Sequence, residues 1–139
     1  MNRDRAVNAA YFLLRVIAGL LFAEAGSPKL FGWFGGIPPN GGTAHYMTQA
    51  WVGGVLEVFG GILIALGLFT RPVAFVLSGE MAVAYWQFHA PQGFLPIKNH
   101  GDAAILFCFI FLFMAAYGGG VWSLDALIWR KRGAAASAK

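Results

Sequence analysis

Residues 51–71 read WVGGVLEVFGGILIALGLFTR, an apolar stretch long enough to cross a bilayer, with one carboxylate, Glu57, well inside it. Gly53, Glu57, Gly60, Ile64 and Gly67 recur at steps of four, three, four and three, which predicts one narrow face of a helix. A face of glycines lets a second helix approach closely, so an acid on it looks toward protein rather than lipid. Ionisable groups at such depth are expensive and mark functional sites, which makes Glu57 the first candidate.

The composition supports a membrane setting. The chain has 139 residues, 58% of them hydrophobic and only 12% charged, against about a quarter charged in ordinary soluble domains. Its mean hydropathy is +0.63. The net charge of +4 comes from basic residues scattered through turns and tails. No basic patch interleaves with aromatics, so nucleic acid is not an expected partner. Cys108, the single cysteine, excludes an intrachain disulfide and a CxxC pair, and within FCFIFLF it reads as a small buried apolar residue.

Working outward, four apolar segments are expected, at about 10–26, 51–69, 72–89 and 102–117. The fold class is therefore an all-α membrane protein, a single domain over 1–139 built as a four-transmembrane-helix bundle. The first segment also has the outline of a signal peptide, with Arg3 and Arg5 before it and Ala23-Glu24-Ala25, a small-x-small pattern, near its end. Arg15 interrupts its apolar run, so a retained helix is expected. With four alternating spans, Arg3, Arg5, Arg71, Arg130, Lys131, Arg132 and Lys139 fall on one side, and only Lys29 and Lys98 on the other. The positive-inside bias then places both termini in the cytoplasm and the chain, multi-pass, in the inner membrane.

The outer connections are the 27–50 stretch, SPKLFGWFGGIPPNGGTAHYMTQA, and 90–101. Phe31, Trp33, Phe34 and Tyr46 predict an interfacial lid in the longer one, although plain lipid anchoring accounts for such aromatics equally well. In the first segment Arg15, Gly19, Phe22 and Gly26 share a face, while Glu24 points elsewhere, toward water or another subunit. Glu80 lies mid-depth in the third segment. Asp102 opens the fourth, where capping and chemistry are both open to it. By helical rise, Arg15 lies roughly 8 Å, Glu80 roughly 12 Å and Glu57 roughly 18 Å from the cytoplasmic ends. Arg15 is thus the expected counter-ion, reaching Glu80 most easily and Glu57 next. With two deep acids and one deep arginine, one acid needs a proton or water, which suits proton exchange and a structural hydrogen bond alike.

These residues resemble the DoxX family of small four-helix membrane proteins. The resemblance is carried by Arg15 and Gly19 with Phe22, Gly26 and Lys29-Leu30, FGWFGG at 31–36, Glu57 with Gly60-Gly61 and GLFTR, Glu80-Met81 with Ala84-Tyr85, NHGD at 99–102, and GGGVWSLD at 118–125. Family members often carry Glu where this chain has Asp102, and Glu24 belongs to no family motif. The resemblance implies a membrane subunit linked to respiratory or sulfur redox chemistry, as in a thiosulfate:quinone oxidoreductase. It puts Arg15, Lys29, Glu57, Glu80 and Asp102 first in line for a polar pocket.

The candidate sites are then Glu57 and Arg15 as catalytic groups, and Lys29, Trp33, Glu80 and Asp102 as ligand-binding groups. A quinone held between the helices is the expected cofactor, with electrons supplied by a protein partner. No haem, flavin or cluster motif is present. His45, His89 and His100 sit at one rim without the spacing of a known metal site, so no metal is expected. An assembly subunit within a larger complex or a homo-oligomer is the second reading. A proton-coupled solute permease is the third, for which four spans without an inverted repeat are few.

Overall fold

The structure, a computed structural model, describes residues 2–137, with side chains through Arg130. Lys131, Arg132 and Lys139, which enter the charge bias, lie outside the described side chains. The described residues form helices and connecting turns, with no strand among them. Five helices carry the fold: α1 (Arg3–Phe31), α2 (Gln49–Leu66), α3 (Thr70–Ala84), α4 (Asp102–Tyr117) and α5 (Leu124–Ser137). Helices α1 and α2 are long and apolar enough to cross a membrane, and α4 is a shorter apolar helix.

Helix α1 outruns the expected 10–26 at both ends. Asn2 caps its start by accepting from Arg5 N–H at 3.0 Å, and Gly32 ends it in the left-handed conformation. Helix α2 begins behind a Thr48 cap and stops at Leu66, short of the expected Phe69, because Gly67 turns left-handed at φ +69°. Two π-turns interrupt the regular winding. One, Leu56–Gly60, lies inside α2; the other, Tyr85–His89, continues α3.

Packing follows the small residues. Helix α1 lies along α2, and α3 lies along α4. At the α1–α2 seam a Cβ on Gly19 would sit 2.5 Å from the Gly61 carbonyl oxygen, and one on Gly61 would sit 2.5 Å from that of Gly19. Gly26 and Gly54 meet the opposite helix in the same way one level higher. Arg15, Gly19, Phe22 and Gly26 do form the buried face of α1. Helix α2 meets α1 through Gly54, Glu57 and Gly61, and just past its end through Gly67 beside Arg15; of the expected row, Gly53 and Gly60 face Glu80 and Leu77 of α3 instead. Phe22 packs edge-on against Phe111 and tilted against Phe107, tying α1 to α4. Ser78 Oγ–H donates to the Cys108 carbonyl at 2.8 Å, tying α3 to α4.

The bundle has two unlike ends. The chain start, the turn at 67–69 and the 118–123 loop meet at one end, the base. The 32–48 and 90–101 connections lie at the other, the rim, where Gln49 Nε2–H donates to Gln87 Oε1.

Candidate functional site

Near the rim, α1, α2, α3 and α4 enclose a cavity of about 780 Å³. Most of its wall is apolar, with Phe22, Leu56, Met81, Ala104 and Phe107 among the lining residues. Its polar groups are Lys29, Gln49, Glu57, Glu80 and His89. Val52, Val76, Val83 and Phe88 line it too while standing exposed on the outside of the bundle. The cavity therefore opens sideways, between α2 and α3.

Glu57 is 5% exposed and sits in the first π-turn. Such turns insert an extra residue into a helix and recur at functional sites. The Lys29 ammonium donates to both of its carboxylate oxygens, each at 2.7 Å. Lys29 occupies the last turn of α1, where a cation is favoured by the helix dipole. An ammonium has three hydrogens, so the third is left for the cavity. Glu80 supplies the second carboxyl, and its Oε2 is buried with no partner. Gly53 makes room for this cluster: a Cβ there would lie 3.3 Å from Glu80 Oε1 and 4.0 Å from Lys29 Nζ.

The expected counter-ion is replaced. Arg15 is 1% exposed but lies at the base, where Nη1–H donates to the carbonyls of Ile64 and Ala65, each at 2.6 Å. Its Nη2–H donates to Trp122 O at 2.7 Å. Arg15 thus closes the carboxyl end of α2, whose last carbonyls lack partners within the helix. Depth counted from an assumed helix start at residue 10 brought Arg15 and the acids too close together. Lys29, read from sequence as an outer-loop residue, belongs to α1 and takes the role.

Trp33 packs at a tilt against Phe31 outside the cavity, 59% exposed. Asp102 is exposed in the first turn of α4 and is not among the lining residues; Gly101 holds the cap position. Of the six expected site residues, Lys29, Glu57 and Glu80 are brought together, whereas Arg15, Trp33 and Asp102 stand apart. Sequence reading missed Gln49, Gly53 and His89 as members of the site. Gly53 was visible as a helix-packing residue only, and the π-turn hides His89 from any count at a period of 3.6. Among the described residues no cluster of three or more His, Cys, Asp or Glu is arranged to hold a metal ion.

The chain is similar to an uncharacterised protein of Haemophilus influenzae, 40% identical over 130 residues that cover 87% of this chain and 93% of that protein. No solved structure matches it. The model of the DoxX family matches residues 10–90, more than half of the chain and the part that contributes Lys29, Glu57, Glu80 and His89. The chain belongs to the DoxX family and is a membrane protein.

Proposed function

We propose that the protein is a membrane subunit of an oxidoreductase that takes a quinone into the rim cavity from the side. The observation that carries this reading is the lateral opening: an apolar cavity flanked by exposed Val52, Val83 and Phe88, with its ionisable groups gathered inside. In a bilayer those exposed residues face lipid, so the cavity suits a ligand dissolved there, an apolar body with a few polar atoms.

The residues fit that class of ligand. The spare Lys29 hydrogen is a donor for a ring oxygen, and the unpartnered Glu80 Oε2 is either an acceptor or, when protonated, a second donor. A bound quinone supplies two-electron redox chemistry coupled to protons. Glu57 keeps the ammonium charged and oriented, Glu80 holds or releases a proton at Oε2, and the apolar wall excludes water. Electrons come from a protein partner, since the chain carries no haem, flavin or cluster motif. Four spans, both termini cytoplasmic, in the inner membrane complete the reading.

Extraction of the protein with a mild detergent, followed by quantification of bound quinone, tests it. The wild type is expected to hold quinone in near-stoichiometric amount, and Glu57→Gln, which weakens the hold on Lys29, to retain several-fold less. A quinone-free wild type, together with unchanged quinone-linked respiration in the variant, would overturn the assignment. An assembly role is favoured by one observation, the exposed carboxylate of Glu24 on the outer face of α1. It would show as one stoichiometric partner protein lost on Glu24→Gln while quinone content stays unchanged.

A further inference from the structure

His89 lines the same cavity from the second π-turn. In a regular α-helix, nine residues from Glu80 would carry it about half a turn away from that acid. The wider winding of Tyr85–His89 turns it back, so that one helix contributes both groups to one cavity. Its ring is held in place. Nδ1 lies 2.9 Å from the carbonyl oxygen of Asn99. Asn99 is fully buried: its Nδ2–H donates to Gly93 O at 2.6 Å, and its Oδ1 accepts from Gly101 N–H at 2.8 Å. The Tyr85 ring stacks on His89 at 6.4 Å.

A carbonyl has no hydrogen to give, so Nδ1 carries one, and the neutral ring keeps Nε2 as a bare acceptor.

From this geometry we infer that His89 is a redox-state-selective contact, its Nε2 accepting a hydrogen bond from a ring hydroxyl of the reduced ligand. The inference rests on the quinone reading and deepens it. Only a quinol has an O–H to offer Nε2. An oxidised quinone presents carbonyl oxygens, which are served by Lys29 at the other end. The site then discriminates between the two states of one ligand, and the discriminating residue is the one delivered by the π-turn.

Titration calorimetry in detergent, under argon, with a short-chain benzoquinone and with its reduced quinol is the test. His89→Phe should weaken quinol binding about tenfold, the scale of one lost hydrogen bond, and leave quinone binding within about twofold, which also reports that the variant is folded. His89→Gln, which keeps an amide carbonyl as acceptor, should recover part of the quinol affinity. Equal changes for both ligands, or no change for either, in both variants would overturn the role of His89 while leaving the quinone site standing. If the wild type binds neither ligand, the quinone reading falls and this inference with it.

Discussion

The Lys29–Glu57 pair decides how the cavity behaves at the scale of single residues. Glu57 has 7% of its side chain exposed and Lys29 has 33%, so the acid has given up far more solvation than the base. Removing the lysine leaves a buried carboxylate with no counter-charge, which costs several kcal/mol unless it takes up a proton. Lys29→Met is therefore expected to lower the thermal unfolding temperature in detergent more than the double variant Lys29→Met with Glu57→Gln does. If the double variant is instead the less stable, the pair does not hold Glu57 as a charged group. The sequence exposed the acids as exceptional but paired them wrongly. Arg15 was the deep cation within the expected segment, whereas Lys29 fell in the expected 27–50 connection, a stretch rich in glycine and proline. Pro28 is in fact accommodated inside α1.

At the scale of elements, each glycine doublet of α2 serves two neighbours. Gly54 and Gly61 admit α1, while Gly53 leaves space for Glu80 and Lys29 and Gly60 leaves space for Leu77 of α3. A period of 3.6 read α1 correctly through Arg15, Gly19, Phe22 and Gly26, but it set Gly60 on the face of Glu57, whereas Gly60 meets Leu77 of α3 and Glu57 lies against Gly26 of α1. What it could not supply was the π-turn, which shifts the phase of everything after Leu56, or the fact that two helices close on α2 from different sides. The doublets separate in mutational effect. At Gly61 an added methyl meets backbone atoms at 2.5 and 2.6 Å, which cannot give way unless α1 and α2 part. Gly61→Ala should cost about 1–3 kcal/mol of stability, the range for an overpacked contact. At Gly53 the nearest atom is the end of the Glu80 side chain at 3.3 Å, so Gly53→Ala should keep the fold and lower ligand affinity. Thermal unfolding beside ligand titration separates the two, and equal loss of stability in both would contradict this division of labour.

Over the whole molecule, the base is held by side chains that reach across the chain to close helix ends. Arg15 closes α2; Asp125 accepts from Phe69 N–H and Thr70 N–H, each at 2.8 Å, and so opens α3; Arg71 donates to Ala115 O and Ala116 O at the end of α4. Tyr11 O–H donates to Gly118 O beside them. Asp125 also steadies Phe69, which holds a left-handed φ of +50°, uncommon for a bulky residue. None of these long-range caps was legible in the sequence, because each joins residues 44 to 107 positions apart and no local pattern announces it. The charge asymmetry between the two ends was legible, and under the proposed topology it turns the base to the cytoplasm. A reporter fused after residue 130 should be active only when functional in the cytoplasm, and one inserted at Gly93 only when functional outside it; the reverse pattern would invert the topology.

The side opening between α2 and α3 has a consequence for how occupancy is counted. A ligand that enters from the hydrocarbon never equilibrates with the site through water. Its effective concentration is its mole fraction among lipids. Adding lipid at constant total ligand therefore dilutes the site's supply, and adding water does not. For such a cavity, the number of lipid molecules per protein is as much a binding parameter as the dissociation constant.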